Sequence, residues 1–192
     1  LPVSGSASVS AEYGEFERFA TCVLNSYCKP SAERYLAQVT AAIRELGIEA
    51  PLEVMQSNGG VISVETASRF PVRLSSSGPT AGVMGSAVIA QKAGRGNLIT
   101  LDMGGTSTDV SLIVAGQPAY VSQHDLGGMP IRAVGVDIRS IGAGGGSLAW
   151  LDRTGALSVG PASAGADPGP ASYGWGGIEP TIADADLVLG FL

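Results

Sequence analysis

Charge is scarce in this chain. Asp, Glu, Lys and Arg together make up 15% of its 192 residues, with 17 acids against 11 bases and a net charge of −6. No basic run occurs anywhere, which excludes nucleic-acid binding through phosphate neutralisation. Also missing is any run of the ~18 consecutive apolar residues that a membrane-spanning helix needs, so no membrane partner is expected. His124 is the single histidine, and any Ser-His-Asp or Cys-His system would have to be built on it. Thiols are limited to Cys22 and Cys28, whose spacing faces them to different sides of a helix. They read as buried reduced thiols, not as a bridge or a metal site. The opening "LPVSGSASVS" carries neither the basic region nor the apolar core of a secretion signal. Together these features favour the cytoplasm. There is no starting Met, from which we expect a segment of a longer chain.

Apolar residues are plentiful at 45%, enough to suggest that part of the surface is buried against something else. Two helices are expected, over about Ser10–Cys28 and Ser31–Leu46, broken at Pro30. In the second, Tyr35, Leu36, Val39, Ile43 and Leu46 follow helical spacing and Gly47 supplies the stop. "PLEVMQ" and "FPVRLSS" read as strands, separated by the turn Ser57-Asn58-Gly59-Gly60. "GPTAGVMGSAVIAQKAG" reads as a helix with Pro79 in its first turn, where proline is tolerated. Its small residues permit close packing on a sheet. "QPAYVSQ" and "IRAVGVDIRSI" are strand-like, and "SLAWLDRTGALSVG" is expected to be a hairpin turning at Asp152-Arg153-Thr154-Gly155. The Gly-, Pro-, Ala- and Ser-rich stretch Gly160–Gly177 has a linker's composition, but Tyr173 and Trp175 within it argue for an ordered loop. "TIADADLVLGFL" closes as a short helix. No internal repeat is present.

The most informative stretch is "LITLDMGGTSTDVSLI", Leu98–Ile113. Two strands are joined by a tight turn with a carboxylate at each end. Gly104 and Gly105 let the backbone approach an anion directly, and Thr106, Ser107 and Thr108 add hydroxyl donors. This is a phosphate cradle made from a hairpin turn. Asp102 and Asp109 would be repelled by phosphate, but they can hold Mg²⁺ and orient an attacking water. An ordinary hairpin with turn-bonded carboxylates is the plain alternative. The run Gly142-Ala143-Gly144-Gly145-Gly146 can bring a backbone close to a nucleotide or to another lobe. Gly144, Gly145 and Gly146 are accordingly candidates for the nucleotide rim. His124 and Asp125 stand at a strand end, where either a substrate role or a polar rim would suit them. Asn58 is explained by turn chemistry alone.

The order and spacing of these pieces resemble the second lobe of the actin-like ATPases, in which a D-x-G-G hairpin in each of two lobes grips nucleotide phosphates. Within that superfamily, "YGEFERFATCVLNSY", "QSNGG", "SGPTAGVMG", "LDMGGTSTDVSLI", "DIRSIGAGGGSLAW", "GPASAGADPGP" and "PTIADADLVLG" occur in this order in the hydantoinase A / 5-oxoprolinase family. The resemblance implies an α/β fold, a ribonuclease-H-like mixed sheet with flanking helices, preceded by a helical pair. It implies a helical segment over 1–50 and a partial second-lobe domain over 51–192, with the first lobe absent. By the same resemblance, ATP with Mg²⁺ would activate a cyclic amide by phosphorylation, with Asp102 and Asp109 as catalytic and metal residues. Gly104–Thr108 and Gly144–Gly146 would bind the cofactor, and Asn58, His124 and Asp125 would lie on the substrate side. A hydantoinase B-type subunit or domain would be the partner. An ATP-dependent ketone carboxylase subunit and a nucleotide-binding assembly module without catalysis are the alternatives. Ser172 stands where many members carry Cys, which excludes a thiol role at that position.

Overall fold

A computed structural model describes residues 2–192. In chain order, α1 (Ser6–Val9) leads to the long α2 (Glu15–Glu45), then β1 (Glu53–Met55), β2 (Val61–Ser63), α3 (Val64–Arg69), a 3-10 turn over Pro71–Leu74 and α4 (Ser77–Lys92). Next come β3 (Leu98–Met103), β4 (Thr108–Val114), β5 (Gln117–Pro118), β6 (Tyr120–Val121), β7 (His124–Leu126), β8 (Met129–Ile131), β9 (Gly135–Val136) and β10 (Ile138–Ile141). The hairpin strands β11 (Ser147–Leu151) and β12 (Leu157–Ser163), a 3-10 turn at Ala171–Tyr173 and α5 (Ile182–Leu189) complete the chain. The expected α/β class is borne out. Two compact units are formed: one runs to Asn97 and resumes over Ile113–Asp137, the other comprises Leu98–Leu112 and Ile138–Leu192.

The first unit is organised by α2. Val9, Cys22, Leu24, Val72 and Ile131 form its apolar cluster. Asn25 is fully buried among them, and its Nδ2 donates to the Arg69 carbonyl at 3.1 Å and to Ser4 Oγ at 3.0 Å. Its Oδ1 accepts the Val72 N–H at 3.4 Å. A buried amide satisfied at both ends ties the helix to the segment after α3.

Two expectations are corrected here. Pro30 does not break the helix: α2 runs unbroken from Glu15 to Glu45 with Pro30 inside it. Proline removes one N–H donor, but it is exposed at this position, and buried Leu24, Asn25 and Leu36 hold the helix on either side. The expected helical pair is therefore one helix. "FPVRLSS" is not a strand either. Pro71 fixes a helical φ at the first position of a 3-10 turn. Ser57 then captures the chain that follows, its Oγ accepting the Ser76 N–H at 2.9 Å. Both cysteines are free as expected, though only Cys22 is buried and Cys28 is half-exposed.

In the second unit, β4 lies between β10 and β3. As the edge strand, β3 leaves Ile99 and Leu101 each 69% exposed. The β11–β12 hairpin turns where expected, because Asp152 Oδ1 accepts the Thr154 N–H at 2.8 Å and the Ala156 N–H at 3.0 Å. α5 starts at a reciprocal cap between Thr181 and Asp184 and ends at Gly190, whose φ of 78° is the left-handed stop. The Gly/Pro-rich stretch is ordered, with Tyr173 and Trp175 in edge contact at 5.9 Å. Asp184 also accepts the Ser172 N–H at 2.7 Å, fastening the stretch to α5.

Candidate phosphate-binding hairpin

The hairpin β3–β4 is closed by the Gly104 N–H donating to the Ser107 carbonyl at 2.9 Å. Counting back from that closure puts Asp102 opposite Asp109, and β10 sets Ser140 beside Asp109 on the other side. Residues opposite one another on a ladder share a face, so Asp102, Asp109 and Ser140 form one polar row across three strands. The Ser140 hydroxyl donates to Asp109 Oδ1 in a short hydrogen bond. Asp102 is exposed and makes no contact with a donor among the described residues.

The glycine run accounts for the shape of the turn. Gly145 donates its N–H to the Gly104 carbonyl at 2.9 Å, and Gly146 to the Gly105 carbonyl at 2.7 Å. Thr108, buried, donates from Oγ1 to the Ala143 carbonyl at 2.5 Å. A Cβ on Gly144 would stand 2.6 Å from the Gly104 carbonyl oxygen and from the Ser107 nitrogen. Only glycine permits that approach. Ser147 completes the arrangement, its Oγ accepting the Gly144 N–H at 2.8 Å.

The turn carbonyls are thus drawn towards the glycine run. The N–H groups of Gly105 and Thr106 have no acceptor among the described residues, and both residues are exposed. Free N–H groups beside free hydroxyls are the kind of donor set that anion-binding turns use. No group of three or more His, Cys, Asp or Glu side chains suited to a metal occurs among the described residues. The fit to Mg²⁺ is still good, because this ion takes one or two carboxylates and fills its remaining positions with water and substrate phosphate.

Of the ten residues expected to meet phosphate or metal, Asp102, Gly104, Gly105, Thr106, Ser107, Thr108, Asp109, Gly144, Gly145 and Gly146, all are brought together in this one unit. Gly144 and Gly146 are buried against the turn itself, so they shape the cradle from behind. Asn58, His124 and Asp125 belong to the other unit. There Asn58 Oδ1 accepts the Gly60 N–H at 2.9 Å, and Asp125 Oδ1 accepts the Gly128 N–H at 2.9 Å; both are turn contacts. His124 packs on Gly135, where a Cβ would collide with the imidazole, and next to the Ser57 carbonyl. Its Nε2 is buried without a hydrogen-bond partner. Burial lowers its pKa below the usual 6.5, partly offset by the negative Asp137 and the Ala133 backbone. Sequence reasoning missed Ser140 and Ser147. Both are polar positions in strands that flank the glycine run, but their partners are set by strand pairing and by the turn before β11.

Comparison with known proteins agrees with the motifs. The Hydantoinase/oxoprolinase family matches residues 18–192. This chain belongs to that family. It is 42% identical to the caprolactamase subunit alpha of Pseudomonas jessenii over 178 residues, covering 93% of this chain and 26% of that one. It is 38% identical to the 5-oxoprolinase of Saccharomyces cerevisiae over 192 residues, 99% of this chain and 14% of that one. Among solved structures, the nucleotide-free acetone carboxylase, from a study of ATP-dependent acetone carboxylation, superposes with a TM-score of 0.81 at 34% identity, covering 97% of this chain and 26% of that one. The fold is that of the actin-like ATPase-type hydantoinase and carboxylase proteins. The chain spans about a quarter or less of each of these relatives. Among the described residues no helix is long and apolar enough to cross a membrane.

Proposed function

We propose that this segment is the phosphate-gripping part of a cytoplasmic, ATP-dependent cyclic-amide hydrolase of the hydantoinase/5-oxoprolinase type, within an actin-like second lobe over 51–192. The observation that carries the reading is the hairpin turn, with its carbonyls engaged from behind and the N–H groups of Gly105 and Thr106 left to donate. These groups, with the hydroxyls of Thr106 and Ser107, would hold the phosphate oxygens. Asp102 and Asp109 would hold Mg²⁺ through one or two oxygens and its retained waters, with Ser140 fixing the rotamer of Asp109. ATP held there would supply a phosphoryl group that activates the amide carbonyl towards water. Asp102, exposed and unpaired, is suited to orient that water. The rest of the parent chain, including the first lobe, and a B-type subunit or domain would complete the site.

A ketone carboxylase subunit is the second reading, favoured by the TM-score of 0.81 to acetone carboxylase. The same hairpin would serve phosphorylation of an enol oxygen. The test common to both is calorimetric titration of the full-length protein with Mg²⁺-ATP, with and without Asp102→Ala. Binding that the substitution abolishes in a folded protein supports the hairpin reading. Unchanged binding in the variant, or none in the folded parent, refutes it. Turnover of cyclic amides against ketones plus bicarbonate then separates the two chemistries.

A further inference from the structure

Helix α2 is apolar on two faces, and only one of them is covered. Cys22, Leu24 and Asn25 are buried against the first unit. On the opposite side Phe16, Phe19, Val23 and Tyr27 are 73%, 55%, 61% and 81% exposed. Steps of three or four residues keep side chains on one side of a helix, so the stripe continues through Pro30 to Arg34, both exposed. A surface helix ordinarily turns polar residues to water on the face away from its core. Three aromatic rings and a valine in one row there mark an interaction surface.

The stripe is symmetric about Val23. Phe19 and Tyr27 each lie four residues from it, and Phe16 and Pro30 each lie seven. A second copy of α2, antiparallel and crossing at Val23, would give every position a fitting neighbour. The two valines would meet at the two-fold axis, where a small side chain permits the usual close approach of helices. Each Phe19 ring would meet a Tyr27 ring, a pairing worth more than its buried area alone. Each Phe16 ring would meet the flat ring of Pro30. An isologous contact demands this self-complementarity, because one patch serves both sides. An unlike partner does not demand it.

The charges are ordered for the same crossing. Glu15 lies in the first turn of α2 and Arg34 towards its other end. Both are exposed, and neither is in an ion pair among the described residues. Lys29 and Glu33 are paired with each other, and Glu12 with Arg132. With the axis at Val23, Arg34 of one copy would stand ~4.5 Å along the helix from Glu15 of the other, within reach of its side chain. Parallel pairing would instead set Glu15 beside Glu15 and align the two helix dipoles, both unfavourable.

We infer that the exposed face of α2 is a two-fold contact with a second copy of this chain, the helices antiparallel and crossing at Val23. A single helix pair buries less than a standard specific interface, so association in the micromolar range is expected. The contact lies in the first unit and does not depend on the phosphate hairpin.

The test is sedimentation equilibrium of the full-length protein across micromolar concentrations, with and without Val23→Glu. The expected result is a monomer–dimer equilibrium that stops at the dimer, because a two-fold contact is closed. Val23→Glu sets two carboxylates together at the axis and should raise the dimer Kd at least tenfold. Its unfolding midpoint at low concentration should not change, since Val23 is exposed. Glu15→Arg should weaken the dimer several-fold, and Glu15→Arg combined with Arg34→Glu should restore it. A protein that stays monomeric throughout overturns the inference and gives the stripe to another occupant. So does a dimer that survives Val23→Glu, as association through the open edge of β3 would. If Val23→Glu fails to fold, the charge exchange decides: no weakening in the single variant, or no recovery in the double one, rejects the antiparallel contact.

Discussion

Gly145 donates its backbone N–H to the carbonyl of Gly104 at 2.9 Å, joining the glycine run to the tip of the β3–β4 hairpin. Two loops that are distant in sequence form one rigid corner, and the closeness of that corner depends on the missing side chain at Gly144.

Substituting Gly144 should therefore be far worse than substituting its neighbour. In Gly144→Ala the new methyl would lie 2.6 Å from backbone atoms that cannot move aside independently. Overpacking of this kind costs about 1–3 kcal/mol. In Gly145→Ala the nearest atom is 3.8 Å away, and no such cost arises. Thermal unfolding of the two variants should show a clear fall in Tm for the first and little change for the second. Equal Tm values would refute the close approach.

Ser140→Ala should leave the fold intact and weaken Mg²⁺-ATP binding. The lost hydrogen bond orients Asp109, and Ser140 is exposed. The net worth of such a bond is about 1 kcal/mol, or several-fold in affinity. Calorimetry on the full-length protein should give a Kd raised several-fold, less than for Asp102→Ala. An unchanged Kd would show that Asp109 needs no support.

His124 predicts a pH dependence. Its folded pKa lies below 6.5 because burial disfavours the charged imidazole, with Asp137 and the Ala133 backbone opposing only in part. Between the folded value and 6.5 the unfolded chain binds the proton and the folded chain does not, so stability rises with pH across that window and falls as the pH drops below about 6.5. Urea midpoints measured from pH 5 to 7.5 should show this slope, and His124→Gln should flatten it. A slope that persists in the variant would assign the effect to other groups.

Pro30→Ala should stabilise the protein. Proline in the middle of α2 removes a hydrogen bond without being buried, and an interior proline is less favourable than alanine by roughly 3 kcal/mol where nothing compensates. A higher midpoint in urea is expected, by part of that amount. A lower one would mean that Pro30 itself contributes to the packing of α2.

What could be read from the sequence was mostly local. The tight turn at Gly104–Ser107, the β11–β12 turn at Asp152–Gly155 and the cap-to-stop frame of α5 each follow from residues within a few positions of one another. The failures were places where distant contacts decided. Pro30 reads as a helix end until Leu24, Asn25 and Leu36 are seen buried on either side of it. "FPVRLSS" has strand composition, but Ser57 and Asn25 reach it from far along the chain and hold it as a 3-10 turn. The glycine run was recognisable as a close approach, yet nothing in its spacing said that the approach is to the hairpin. Ser140 has no local signature at all, because strand pairing alone sets it beside Asp109.

The uncovered edge of β3 has a practical meaning for anyone handling this protein. Ile99 and Leu101 point a greasy strip into water from a strand whose outer backbone groups lack a partner strand, and such edges template the addition of like strands. At low concentration the chain is expected to stay monodisperse. Concentrating it is expected to recruit neighbouring copies to that seam.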